Sequence, residues 1–172
     1  MRNVILSLLI VFSARGQHSF PKLSDKQTDN NDKYSGVYEY VYPDNTSDLI
    51  ENHFIILTTV DNKLTGYYYG TSDEFDEARE GYLPAFFVAK MDNLLIKGDT
   101  IRFTLKADNS DFLTSAVDLK YKSTKDAVDA GYKIWENKIS TKPTNYIGLF
   151  KNEKTIFFKG ELEFLNKTFK KK

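Results

Sequence analysis

The chain has 172 residues, no cysteine, and 24 basic residues balanced by 24 acidic ones, a size that fits one domain with a core able to stand without covalent staples. This composition excludes a disulfide framework, a thiol nucleophile and a cysteine metal site, and its zero net charge argues against a general nucleic-acid binder. Aromatic residues make up 15% of the chain, which argues against global disorder.

The N-terminus has the three parts of a secretory signal peptide. Met1-Arg2-Asn3 is a short basic start, residues 4–12 are apolar except for Ser7, and Ala14 and Gly16 are the small residues before a cleavage point at Gln17. The apolar run is too short for a transmembrane helix, which takes about 20 residues, so no membrane span is expected. No cysteine follows it, which rules out a lipoprotein anchor. Removing residues 1–16 takes away Arg2 and Arg15 and no acid, leaving the remainder slightly acidic. Export without any cysteine suits a bacterial periplasm or exterior better than a eukaryotic secretory route.

Residues 17–33 are polar and aperiodic, with Asp29-Asn30-Asn31-Asp32 near their end, and read as a flexible leader. The folded domain is expected over residues 34–168, and residues 169–172 read as a frayed basic tail.

Within the domain most signals are strands. Residues 34–42 are β-branched and aromatic and end at Pro43-Asp44-Asn45. Residues 54–60 and 64–70 flank Asp61-Asn62-Lys63 and read as a hairpin. Residues 84–91 form a third unit. Residues 94–97 and 101–105 flank Gly98-Asp99 as a second hairpin, with Ile101, Phe103 and Leu105 on one face. Residues 112–121 are a weaker strand. Residues 146–150 and 155–164 make a third hairpin, with Phe158, Gly160, Leu162 and Phe164 on one face.

Two segments read as helices. Residues 72–80 have Thr71 and Glu74 placed as a capping box and Gly81 as a stop. Residues 123–135 place Ala127, Val128, Tyr132 and Trp135 at helical spacing, with Gly131 inside at a cost of about 1 kcal/mol against alanine. Trp135 would anchor that helix to the core. About eight strands with two short helices predict a mainly β fold: a single antiparallel β-barrel or a sandwich.

The opening strands resemble those of avidin-like and lipocalin-like barrels. These begin with a Gly-x-aromatic strand and continue with a strand-turn-strand ending in Leu-x-Gly-x-Tyr. Gly36-Val37-Tyr38, Phe54-Ile55 and Leu64-Thr65-Gly66-Tyr67-Tyr68 stand at those positions. The likeness covers about a fifth of the chain and implies a barrel topology. Tyr68 matches a ligand-contacting position of the family. Tyr40 stands where the avidins carry a ligand-binding asparagine, and the loop after Tyr42 is longer, so biotin binding is not implied.

Catalytic signatures are sparse. The two histidines are His18, in the leader, and His53, at a strand start beside Glu51 and Asn52. Zinc sites built on several histidines are therefore poorly supported, and no nucleophile elbow or phosphate-cradling loop occurs. No cofactor, metal site or catalytic residue is assigned, and His53 reads as a polar loop-edge residue. The densest constellation is 73–80, where Asp73, Glu74, Asp76, Glu77 and Glu80 crowd around Arg79. It reads as a solvated helix face, as a partner-binding surface of an inhibitor or immunity protein, or, with Glu51, as the acids of a small hydrolase. On a helix, Asp73 with Glu77 and Asp76 with Glu80 would sit at i,i+4 spacing.

The tyrosines are the other feature. Tyr38, Tyr40 and Tyr42 alternate along one strand, and Tyr67 and Tyr69 share a face with Tyr68 opposite. Turned inward, they line a barrel for a small molecule or glycan; turned outward, they cover a wet sheet face. The sequence therefore predicts an exported, non-catalytic binding protein, with Tyr38, Tyr40, Tyr67, Tyr68 and Tyr69 as ligand residues.

Overall fold

The computed structural model describes residues 31–42, 52–61, 63–76, 81–107, 111–135, 142–161 and 166–172. The signal peptide and most of the leader lie outside them. A 3-10 turn at Asn31–Tyr34 leads into strands β1 (Gly36–Tyr40), β2 (Phe54–Val60), β3 (Lys63–Asp76), β4 (Gly81–Lys90), β5 (Asp92–Lys97) and β6 (Thr100–Leu105). A short helix, α1 (Thr124–Asp129), precedes β7 (Thr144–Asn152), β8 (Thr155–Phe158) and β9 (Lys167–Lys171).

All pairings are antiparallel, in the order β4-β3-β2-β1-β9-β8-β7-β6-β5. The end strands of that order, β4 and β5, are joined by the single residue Met91, whose N–H donates to Gly66 O at 2.8 Å. They form one strand bent at a corner, so the sheet curls into a nearly closed barrel. The corner needs a glycine opposite it: a Cβ on Gly66 would lie 2.5 Å from the Met91 sulfur. The barrel reading therefore stands and the sandwich alternative falls.

The inside and outside of the wall are filled differently. Tyr38, Ile55, Leu57, Tyr68, Ile101, Phe103, Phe150, Ile156 and Phe169 point inward and form the main core. A second cluster lies outside, where Ile56, Tyr69, Phe86 and Val88 of β2–β4 are covered by Leu113, Val117 and Ala127. This explains the run 54–57, apolar on both faces: β2 is buried from within by the barrel and from without by residues 111–135.

The two ends of the barrel also differ. The tight turns after β2, β5 and β7 gather at one end, with Asp61 at φ +50° and Gly98 at φ +62° as such turns require. The 3-10 turn closes this end. The Tyr34 ring stacks on Phe150 at 4.2 Å and its hydroxyl donates to Gly98 O at 3.1 Å. The connections that follow β1, β3, β6 and β8 all leave from the other end.

Several expectations are corrected. Residues 72–76 are not helical. The β3–β4 ladder runs from Tyr67↔Lys90 through to Asp76↔Gly81, and residues 77–80 lie outside the described set. A nine-residue helix is marginal in water, whereas a ladder partner satisfies the backbone along its whole length, so capping chemistry lost to pairing. The second helix is short. Ser123 caps it through Oγ accepting from Asp126 N, and Gly131, at φ +100°, lies beyond its end. Trp135 lies outside the helix and packs, half-buried, on Ala85, Ala107 and Phe112. The segment 112–121 is no strand; it contributes an isolated bridge at Leu113 to Phe86 and Ile134. β8 stops at Phe158, and residues 162–165 are outside the described set.

The C-terminal residues are not a frayed tail. β9 pairs with β1 through Tyr38↔Lys171 and Tyr40↔Phe169, and with β8 through Ile156↔Phe169. Phe169, fully buried, meets the rings of Tyr40, Tyr68 and Phe158, Lys170 is exposed on the outer side, and Lys171, on the parity of Phe169, brings its Nζ to 5.9 Å from the Tyr38 ring. Alternation hid this strand, since one aromatic among lysines reads as a tail. Phe169→Ala is expected to cost about 3–5 kcal/mol, measured by urea unfolding. A loss below about 1 kcal/mol would show that β9 does not close the barrel.

Candidate functional site

The end that carries the long connections has a floor of rings. Tyr40 projects inward from the last residue of β1, His53 stands just before β2, Tyr68 comes from β3, Phe87 from β4, Tyr146 from β7 and Phe169 from β9. Their ring contacts are continuous. Tyr40 lies 5.6 Å from His53 and 5.6 Å from Phe169. Tyr68 lies 6.1 Å from His53, 6.0 Å from Phe87 and 5.8 Å from Tyr146. Tyr40, Phe87 and Tyr146 remain half-buried, so they form the upper layer of the core at this end.

Below this layer the barrel is filled. Phe103 stacks on Tyr146 at 5.0 Å, and Phe158 meets Phe103 and Phe169 edge-on at 5.8 Å. Tyr38, deeper still, shares its hydroxyl between Tyr34 O at 2.8 Å and Glu153 O at 3.1 Å. Burial pushes its phenol up to about 12, so it stays a neutral donor.

His53 is the polar centre of the upper layer. It is 7% exposed, and its Nδ1 stands 3.2 Å from the Tyr68 hydroxyl. Burial, and secondarily the charge of Lys167, push its pKa down to about 3. The imidazole is therefore neutral under ordinary conditions and offers one donor and one acceptor among rings. Tyr146 is likewise held above the ordinary phenol range by burial.

The tyrosines singled out in the sequence do not share one space. Tyr38, Tyr40 and Tyr68 face inward. Tyr67 and Tyr69 face outward, under residues 111–135. The Tyr69 hydroxyl donates to Leu119 O at 3.1 Å and Tyr121 O at 2.6 Å, and Lys122 Nζ reaches it at 3.4 Å. Burial holds this phenol well above its usual range. Tyr67 packs beside it, 5.6 Å from Lys122 Nζ. Tyr69 thus pins the outer cover to the wall. Tyr42 lies at the rim, its ring 4.7 Å from Tyr40.

Of the acidic constellation, Asp73, Glu74 and Asp76 belong to β3, so the i,i+4 pairing of a helix does not apply. Glu51, Glu77 and Glu80 lie outside the described residues. Among the described residues no cluster of acids and histidines has metal-site geometry, and no helix is long and apolar enough to cross a membrane.

His53, read from the sequence as a polar loop-edge residue, is instead buried in the ring layer, and Phe87, Tyr146 and Phe169 are members of it that sequence reading passed over. His53 was legible in part, since His53, Ile55 and Leu57 follow the period of two that marks one strand face. Tyr146 and Phe169 come from strands remote in sequence, and only barrel closure brings them to Tyr68. No family model, curated protein or solved structure matches the chain.

The buried imidazole makes stability depend on pH. In the unfolded chain its pKa is about 6.5, so between that value and about 3 the unfolded state holds a proton that the folded state does not. Stability then falls as pH falls through this window, by up to about 1.4 kcal/mol per pH unit. Between pH 7 and pH 4.5 the wild type is expected to lose about 2–3 kcal/mol more than His53→Gln in paired urea titrations. Equal losses would show that His53 is not buried as a neutral base.

Proposed function

We propose that this is an exported, non-catalytic binding barrel that takes a small, planar, largely apolar molecule at its loop-bearing end. The observation that carries this reading is the gathering of Tyr40, His53, Tyr68, Phe87 and Tyr146 at the barrel end from which β1, β3, β6 and β8 send their connections. The half-buried rings of Tyr40, Phe87 and Tyr146 favour stacked or edge-on contact with a flat ligand, above the buried His53–Tyr68 pair. Binding sites commonly combine such an apolar lining with a few placed polar groups, in the mouths of barrels among other places. Long loops on a rigid barrel are also where binding residues concentrate.

The ligand region differs from the one expected from sequence. It is a shallow ring layer at the mouth, built by Tyr40 and Tyr68 with partners from β2, β4, β7 and β9. Tyr38 belongs to the filled interior, and Tyr67 and Tyr69 to the outer cover. Export, to a bacterial periplasm or exterior, rests on residues 1–16 and on the absence of cysteine. The non-catalytic reading rests on the lack of a nucleophile signature in the sequence. A glycan is the second ligand class, since sugar faces also stack on rings.

Amide chemical-shift mapping with two probes tests this. Indole stands for the planar class and 4-nitrophenyl β-glucoside for the glycan class. Indole is expected to shift the amides of Tyr40, His53, Phe87 and Tyr146, and Tyr146→Ala to weaken its binding by about tenfold, as loss of a ring contact of about 1 kcal/mol or more implies. Saturable shifts with the glucoside alone would move the assignment to a glycan. Shifts from neither probe at these residues would sink the proposal.

A further inference from the structure

Among the described residues, the wall of the barrel is covered on one side only. There Ile56, Tyr67, Tyr69, Phe86 and Val88 of β2–β4 lie under residues 111–135. Over β5–β8 no described segment covers the outward residues, although they include large aliphatic groups: Leu95 is 55% exposed, Ile147 59% and Leu149 41%. The strand registers place them together. Leu95, Arg102 and Ile147 form one row across β5, β6 and β7. Lys97, Thr100, Leu149, Phe157 and Thr168 form the next, across β5 to β9. Leu95, Lys97, Thr100 and Arg102 border a recess of about 180 Å³.

Charge on this face is mostly positive. The outward strand positions of β5–β8 carry Lys97, Arg102 and Lys151 against one acid, Asp92, which sits at a corner opposite Thr104, whereas Lys170 of β9 stands across from Glu39 of β1. Asp99, Glu153 and Lys154 flank the face in the turns of the closed end. Lys151 leans over the ring of Phe157 at 4.9 Å, so its stem adds to the apolar surface while its ammonium stays at the rim.

We propose that the outer face of β5–β8 docks on the surface of an anionic lipid bilayer. Aliphatic groups framed by cations on long stems suit the boundary between headgroups and acyl chains. Two copies face to face would set three cations against three, which like-charge repulsion opposes. The area also decides. Four strands spaced about 4.8 Å apart, each about five residues long, span about 300 Å². That is well under the roughly 800 Å² per partner that a stable protein interface needs. A fluid bilayer needs no shape match, and each basic residue adds to attraction by anionic headgroups.

Co-sedimentation of the full chain with vesicles tests this. Vesicles of equal phosphatidylglycerol and phosphatidylcholine are expected to bind the protein, 0.5 M NaCl to release it, and pure phosphatidylcholine to bind it at least about tenfold more weakly. The combined variant Lys97→Glu, Arg102→Glu, Lys151→Glu is expected to bind at least about tenfold more weakly than wild type. Ile147→Thr with Leu149→Thr, which keeps strand-forming residues at exposed positions, is expected to weaken binding by a similar factor. Lys125→Glu with Lys133→Glu, in the covering segment, is expected to retain it. Unchanged circular dichroism and melting confirm that each variant folds. The proposal is overturned if anionic vesicles bind no protein. It also falls if both patch variants bind as wild type does, which would place attachment elsewhere, such as the apolar run 4–12. A dimer in sedimentation velocity that Leu149→Thr dissociates would equally overturn it, by showing that a second copy covers the face.

Discussion

Everything in this fold depends on closing the sheet, and the closure is made by β9, five residues at the C-terminal end of the chain. A nine-stranded ribbon left open would expose one aromatic face and two hydrogen-bonding edges. β9 prevents this by entering between β1 and β8, so that Phe169 completes the ring contacts of Tyr40, Tyr68 and Phe158. On the other side of the barrel the sheet edges meet through chain continuity, because β4 turns at Met91 and runs on as β5. The close approach at Gly66 lets that corner sit against β3. Both devices are tertiary: neither strand would hold its position alone.

Closure also sorts the polar groups. Inside the wall the buried hydroxyl of Tyr38 is taken up by backbone carbonyls at the closed end, and that of Tyr68 by the ring of His53 near the mouth. Outside the wall, Tyr69 and Asn52 reach carbonyls of the covering segment: the Asn52 side-chain amide donates to Val117 O at 3.2 Å. Every buried side-chain polar atom among the described residues has a partner, as a low-dielectric interior demands. The consequence is an asymmetric barrel. One end is plugged by Tyr34, and the other ends in a half-buried ring layer. Among the described residues one side wall is covered and the other carries exposed aliphatic and basic groups.

Much of the strand content was readable from local chemistry. The hairpins at 61–62, 98–99 and 153–154 follow from turn residues between alternating runs, and the inward set Ile101, Phe103 and Leu105 follows from a period of two. The failures share a cause. Residues 72–76 carry helix-capping chemistry, yet ten consecutive pairs with β4 outweigh a short helix's marginal stability. The residues 123–135 keep a helical period, but Gly131 adopts a left-handed conformation just past the helix, so Tyr132 and Trp135 reach their packing sites from irregular backbone. β9 hides because Phe169 is the one large apolar group on a strand of only five residues, three of them lysines.

The candidate site shows the same division. The sequence by itself determined which chemistries were excluded, that the domain is β-rich, and that Tyr38, Tyr40 and Tyr42 lie along one strand face, because residue types and a two-residue period are local properties. It did not determine which face of β2 and β3 is inside, since both are apolar there. Only the tertiary structure decided that, by laying residues 111–135 on the outside and sending Tyr67 and Tyr69 to that cover. Only barrel closure brought Tyr146 and Phe169, from the far end of the chain, against Tyr68 and sealed His53 among rings. Burial depends on which distant segment arrives, and a local pattern carries no record of that.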